Sequence, residues 1–518
     1  MLEFHDLPVD ILTIVLGFLV KPNHLASAAK VNKIWNEFVT PRLYERVSIF
    51  SWHKESKKIV RLLFATLASY RHLAKHIRRL EIRDFPKAIF DPSGRDLHDD
   101  TVTGLKNCTN LHSCTWTRDG SLTSGILTTF ASLPKLRELE INGHDARYYD
   151  PKLLCQFSVL QKISVIMPSP LVVRNIRDMV KVSGEKLRSL TMICKASGAV
   201  TDSILEDMAP TLVNLESFSL TGCPKVTERG VLAIVSSTCV GLKVLGLENV
   251  STKFDMPGFS EHCKHAQSLH SLTSITLTVS QHISDPNTWT KSVASLLSHS
   301  PLLSKFHIYS TYITASESMF PDRDLPDLAS KVKNARSAPC ALAIALARFW
   351  TDLVAAHGDT LRRFSVLRMP ISLESIKELC AGCPNLEELF VVANARSVNA
   401  LPEALTAATK LKTIHVNFPV RSPPVFGVHG VHDNGPEAGE EDEAGGAATG
   451  TRTYLVPAEA LEIAKRCGPS LTQFGCNTRV WKVGRRTKRE EDGSVSAEVV
   501  LLPYEDPDIP EPFLVVRA

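Results

Sequence analysis

Few residues in this chain have types and spacing that suit chemistry. His429, His432 and Asp433, in the run HGVHD, imitate metal ligands, and Cys380 and Cys383 form a CxxC pair. A closed zinc site takes about four such ligands. The CxxC has no second cysteine pair or suitably spaced histidines beside it. The HGVHD run sits in a stretch, 419–450, rich in Gly, Pro and acids, including Glu440-Glu441-Asp442-Glu443; such a composition belongs to solvated loops. Neither a metal nor a cofactor is expected. The phosphate-cradling GxxxxGK[ST], the nucleophile elbow GxSxG and the zincin HExxH are absent from the sequence. With no acid–base or nucleophile constellation, the chain is expected to perform no bond chemistry itself. Lys482, Arg485, Arg486, Lys488 and Arg489 form a basic cluster that could serve as a nuclear signal or an anion patch. Its neighbours Glu490, Glu491 and Asp492 favour a charged, exposed edge.

The balance of charge points the same way. Across 518 residues, 59 Lys and Arg face 55 Asp and Glu, a formal net charge of +4. That is no footprint of a nucleic-acid or membrane-surface binder. The apolar runs Ile11 to Val20 and Pro339 to Ala347 fall short of the ~20 residues that span a bilayer. The opening MLEFHDLPVD lacks a basic n-region, so a cytoplasmic and/or nuclear location is expected, with the 12 cysteines reduced and buried. A hydrophobic content of 44% is ample for a core.

One pattern organises most of the chain: apolar, two variable residues, apolar, one variable residue, apolar. It is sharpest in Leu136/Leu139/Ile141, Leu187/Leu190/Met192, Leu215/Phe218/Leu220, Leu242/Leu245/Leu247, Leu272/Ile275/Leu277, Leu386/Leu389/Val391 and Leu411/Ile414/Val416. Weaker copies begin at Ile77, Leu111, Leu160, Leu303, Leu361 and Leu471. Most intervals lie near the leucine-rich-repeat period of about 20–29 residues. The intervals from Leu303 to Leu361 and from Leu411 to Leu471 are long and mark insertions near 310–340 and 419–450. Each copy predicts a short strand, and stretches such as Gly230 to Val240 predict amphipathic helices between strands. The fold class is therefore α/β, a leucine-rich-repeat solenoid or horseshoe. The run from Leu215 to Leu247 resembles the cysteine-containing repeat common in F-box proteins, with Cys223, Val226-Thr227, Gly230 and Cys239 at that subclass's positions. The cysteines then read as small apolar plugs at turns.

Residues 7–50 form a different unit. Leu7-Pro8 precedes a short helix that is apolar nearly all round, with Ile11, Leu12, Val15, Leu16, Phe18 and Leu19. After Pro22-Asn23, the run LASAAKVNKIWNEFV predicts one second helix, ended by Pro41. The Leu-Pro start, the apolar helix, the break, and Val31 followed by Trp35 together resemble an F-box. Asn32-Lys33-Ile34 departs from the Cys or basic pair usual before the tryptophan, and Asp10 stands where Glu is usual. The resemblance implies that Leu7, Pro8, Ile11, Val15, Leu16 and Trp35 match the family pattern: some hold the helices together and some grip a Skp-family adaptor, which links to a cullin-RING ubiquitin ligase.

The expected organisation is an F-box helical domain over 1–50, a helical linker over 51–76, the repeat solenoid over 77–477, and a hairpin cap and tail over 478–518. The hairpin turns at Asp492-Gly493, and the tail resembles the endings of F-box and leucine-rich-repeat proteins of mushroom-forming fungi. In leucine-rich repeats the variable strand residues face one side. The middle copies present Ser189, Thr191, Ser217, Ser219, Thr221, Ser274, Thr276 and Thr278; the later ones present Lys305, His307, Tyr309, Arg363, Glu388, Phe390, Thr413 and His415. The later set mixes charge with aromatics, the residue types enriched at interfaces. With Phe320 from the first insertion, Lys305, His307, Tyr309, Arg363, Glu388, Phe390 and His415 are the expected contacts for a target protein of unknown identity. The expected function is substrate recognition in a Skp–cullin–F-box ubiquitin ligase, or alternatively a non-ligase repeat scaffold.

Overall fold

Each copy of the repeat pattern becomes a strand that starts two residues after its first apolar residue. In this computed structural model the residues described are 9–19, 21–86, 97–145, 148–280, 283, 285–310, 338–393, 400–418, 455–477, 479–489 and 495–503. The chain divides into two compact units, Met1–Leu272 and Thr273–Ala518.

The first unit begins with three helices, α1 (Val9–Gly17), α2 (Pro22–Ala28) and α3 (Lys33–Glu45). Strands β1 (Arg46–Ile49), β2 (Arg79–Ile82), β3 (Ser113–Trp116), β4 (Glu138–Asn142), β5 (Lys162–Ile166), β6 (Ser189–Ile193), β7 (Ser217–Thr221) and β8 (Val244–Glu248) follow. All pair in chain order and in parallel. The register stacks Leu80, Cys114, Leu139, Ile163, Leu190, Phe218 and Leu245 in one row. Every member of that row is 1% exposed or less. A strict period of two sends these residues to one face and leaves the variable ones on the other. Where the copy is weak, an aromatic fills the volume: Trp116 packs against Phe64, Phe85 and Phe130 with ring centroids 5.0–5.9 Å away. Its Nε1–H donates to Ser121 Oγ at 2.9 Å.

The second unit has β9 (Ser274–Val279), β10 (Lys305–Ser310), β11 (Arg363–Leu367), β12 (Glu388–Val392), β13 (Thr413–Asn417) and β14 (Gln473–Cys476) in parallel. The antiparallel β15 (Arg479–Arg489) and β16 (Val495–Pro503) complete it. The long helix Ala338–His357 lies between β10 and β11, and its Phe349 and Trp350 pack on Phe306 and Phe364.

Two polar devices repeat. Thr123, Ser169, Thr227, Asp255, Asp285 and Ser372 each cap a repeat helix by accepting a backbone N–H from its first turn. Asn110, Asn214 and Asn385, each just before the first leucine of a copy, donate from Nδ2 to the carbonyls of Lys75, Glu185 and Asp359 at 2.7–2.8 Å. A turn carbonyl is thereby tied to the next repeat.

Some expectations are corrected. The single helix over 25–39 is two helices, because Asn32 Oδ1 accepts the Trp35 N–H at 2.8 Å and starts α3 anew. Pro41 does not end α3; it lies inside, and the helix runs to Glu45 with Val39 fully buried. One lost backbone bond is outweighed by that packing. Cys223 is a buried plug, but Cys239 and Cys155 are exposed. At Cys239 the fixed group is the backbone N–H, which donates to Val213 O at 2.8 Å. The sheet also begins earlier than the repeat pattern indicates, since β1 pairs with β2.

Candidate functional site

The described residues offer two surfaces, one in each unit. In the first, Leu12 and Leu16 of α1 turn inward onto Leu25, Ala28 and Val39, with Trp35, Phe38 and Leu43 half-buried around them. Leu16 is 2% exposed and is a core residue; Trp35 packs on that core. The opposite side of α1, together with Phe18 just past its end, is also apolar: Ile11, Ile14, Val15 and Phe18 are 42%, 64%, 41% and 80% exposed. Spacing of three and four residues places them on one stripe of the helix. Val31 and Ile34, beside the start of α3, are exposed too. Burying one such side chain fully is worth about 1.5–3 kcal/mol, so this stripe favours a partner. Of the sequence-selected residues, Ile11 and Val15 lie on the stripe, while Leu7 and Pro8 fall outside the described residues. Ile14 and Phe18 lie on it too, outside the residues that match the F-box pattern. Their signal was present, since a helix apolar all round has more apolar surface than one core contact can cover.

The second surface is the strand face of β10 to β14 that points away from the leucine core. The register sets Lys305, Arg363, Glu388, Thr413 and Gln473 in one row. His307, Ser365, Phe390, His415 and Gly475 form the next. The topology thus brings Lys305, His307, Tyr309, Arg363, Glu388, Phe390 and His415 together; Phe320 lies outside the described residues. The Arg363 guanidinium sits 5.0 Å from the Phe390 ring centroid and pairs with Glu388 at 3.5 Å. Phe390 stacks on His415 at 6.2 Å and 16°. His415 Nε2 lies 3.0 Å from the Asn477 carbonyl, which makes Nε2 the donor. His415 covers Gly475, where a Cβ would lie 2.2 Å from its Nδ1, so only glycine fits. This face is more crowded than a row of variable residues suggests: Phe390 and His307 are 4% and 8% exposed. Burial, then the Arg363 charge, hold His307 down to a pKa of about 4, so its ring is neutral.

The other chemical candidates are placed as follows. Cys380 and Cys383 are buried, and burial pushes both thiols up to about 12. Among the described residues no three His, Cys, Asp or Glu side chains gather as a metal site, and no helix is long and apolar enough to cross a membrane. His429, His432 and Asp433 lie outside the described residues. Lys482, Arg485, Arg486, Lys488 and Arg489 lie exposed along β15, paired to β16. Arg485 donates to the carbonyls of Leu471 and Gly468, closing the last repeat.

Comparison with known proteins adds a domain and a fold likeness. A family model described as F-box-like matches residues 4–50, so the N-terminal helices are an F-box-like domain. No curated protein matches the chain. Among solved structures, a chain of the Rad7 and Elc1 complex from yeast is similar at 15% identity and a TM-score of 0.35, covering 71% of this chain and 89% of that one. The leucine-rich-repeat-containing protein LegL7 from Legionella pneumophila is similar at 12% identity and a TM-score of 0.33, covering 57% of this chain and 99% of that one.

Proposed function

We propose that this protein is the substrate-recognition subunit of a Skp–cullin–F-box ubiquitin ligase and catalyses no bond chemistry. The observation that carries the proposal is the exposed stripe Ile11, Ile14 and Val15 on α1, continued by Phe18 just past its end, in the F-box-like domain. The Skp-family adaptor covers this stripe and carries the chain to the cullin-RING ligase. The target protein binds the strand face of β10 to β14. The chain works by holding the target near the ubiquitin-loaded enzyme, which raises the effective concentration of the reacting groups.

Co-expression with a Skp-family adaptor and size-exclusion chromatography test the proposal. A stable complex that Ile14→Asp and Phe18→Asp dissolve, without loss of the chain's own fold, is the expected result. A folded chain that does not retain the adaptor would instead be a repeat scaffold acting outside a ligase.

A further inference from the structure

The cations of β15 do not stand where a sheet needs them. Charged residues commonly blunt the outermost strand of a sheet against unwanted pairing. Here the outermost strand is β16, and it carries one charge, Glu498. Arg479, Lys482, Arg485, Arg486, Lys488 and Arg489 stand on β15, one strand further in. The two strands thus hold six positive charges against one negative, more net charge than the +4 of the whole chain. Positive charge is concentrated here, and edge protection does not account for it.

β15 outruns its inner neighbour. β14 pairs with Arg479 to Lys482, whereas β16 stays in register as far as Arg489. Past Val483 the two strands run on as a ribbon for six residues, about 20 Å. Alternation sets its faces. Lys482 stands opposite Gln473 and Val480 opposite Gly475, so Val480, Lys482, Gly484, Arg486 and Lys488 continue the variable strand face. Lys482, Arg486 and Lys488 are exposed. Arg485, on the reverse face, is engaged by the Leu471 and Gly468 carbonyls. Leu502, Val500, Glu498 and Ser496 face the basic row. Leu502 and Val500, half-buried, lean over Gly484, where a Cβ would lie 3.1 and 3.3 Å from their methyl groups.

The spacing selects the partner. Side chains at alternate positions of a strand lie about 7 Å apart, and an extended peptide with acids at alternate positions repeats at the same interval. The apolar pair beside Lys482 adds a place for one apolar side chain. A nucleic acid fits less well. Its charge is unbroken, one per ~1.7 Å of duplex axis, while the residues that follow Arg489 are Glu490-Glu491-Asp492. A short peptide ends before those acids; a long polyanion meets them. Neither the basic row nor the row facing it holds an aromatic side chain on which a base would stack.

We propose that Lys482, Arg486 and Lys488 receive an extended acidic segment of a partner protein, with one apolar side chain of that segment on Leu502 and Val500. This goes beyond the ligase reading, since it uses other strands than β10 to β14 and needs no adaptor. Exposed ion pairs are weak singly, and a row of them binds with a strong dependence on salt.

The test titrates the full chain into a short labelled peptide with Glu at alternate positions and one central Leu, read by fluorescence anisotropy. This peptide is expected to bind at least tenfold tighter than its Gln counterpart, and to weaken at least tenfold from about 50 mM to about 300 mM salt. Replacing its Leu by Ser should weaken it at least threefold; equal binding removes Leu502 and Val500 from the assignment. Lys482→Gln, Arg486→Gln and Lys488→Gln together should lose at least tenfold, with a melting curve to confirm the fold. Lys482→Arg, Arg486→Lys and Lys488→Arg, which keep the charge, should retain binding. Lys57→Gln, Lys75→Gln and Lys264→Gln remove as much exposed charge elsewhere and should change nothing; an equal loss there overturns the site in favour of diffuse attraction. Tighter binding of a DNA duplex or single-stranded RNA, abolished by the Gln variant, overturns the protein partner. Peptide binding that requires removal of residues 435–446 assigns the row to this chain's own acidic run and overturns the external partner. Absence of peptide binding by both folded chains overturns the site altogether.

Discussion

The Asp202 carboxylate takes both polar hydrogens of Thr227, the backbone N–H at 2.8 Å and the hydroxyl at 2.7 Å, across a full repeat. The same carboxylate accepts the Gly230 N–H at 3.2 Å. Gly230 is glycine because a Cβ there would lie 2.6 Å from Asp202 Oδ1. Thr227 meanwhile caps its own helix. One acid, almost fully buried, thus fastens the start of one repeat helix to the start of the next. Asp202→Ala should lower unfolding free energy by about 1–3 kcal/mol, since it strands buried N–H donors. Urea unfolding checks this, and a loss below about 0.5 kcal/mol would refute the bracket.

The F-box-like helices allow a sharper contrast. Phe18→Asp and Ile14→Asp alter exposed side chains and should leave the melting temperature within about 2 °C, yet weaken adaptor binding at least tenfold, an effect of about 1.4 kcal/mol. Leu16→Asp puts a charge in the core of the three helices and should unfold them. Circular dichroism and adaptor titration on all three variants separate the two effects. Removing residues 1–50 is a poorer test, because it also strips β1 from β2.

Much of the fold can be read from the chain because each repeat places apolar residues at the same phase, and phase alone decides which strand face is buried. β1 escaped that reading because Tyr44 occupies the place of the first leucine before Val47 and Ile49. Helix limits were harder. Pro41 and Asn32 both carry local signals: packing decides that the first is tolerated inside α3, while the second starts the helix by capping the Trp35 N–H. For the candidate site, alternation assigns Phe390 and His307 to the variable face. It does not say that Arg363 lies over the one ring and that both residues lie deep between strands. Crowding on a face depends on neighbours one or two repeats away, which no local pattern encodes.

His307 makes the fold acid-sensitive. Its ordinary pKa is near 6.5 and the folded chain holds it at about 4. The unfolded chain therefore takes up a proton that the folded chain refuses as pH falls below 6.5. The native state keeps its full advantage above that value, loses it progressively between 6.5 and 4, and loses no more below 4. The whole span is worth roughly 3 kcal/mol. His357, also lowered by burial, acts in the same direction. His307→Gln should shrink the stability difference between pH 7 and pH 5 by roughly 2 kcal/mol, read from urea unfolding at both pH values. An unchanged difference would mean that the ring titrates normally.

Two aromatic residues on the strand face should answer differently to truncation. Phe390, 4% exposed and pressed between Arg363 and His415, is part of the packing of that face. Phe390→Ala should cost about 3 kcal/mol of stability, the scale of emptying a buried aromatic site. Any loss of target capture would then follow the loss of fold. Tyr309, half-buried, is positioned by the His307 ring 6.3 Å away. Its removal should leave the melting curve nearly in place and reduce target capture by about 1–2 kcal/mol, as for an aromatic anchor at an interface. Thermal melts beside capture assays on both variants decide the matter. A stable Phe390→Ala chain with normal capture would show that the face is neither tightly packed nor used.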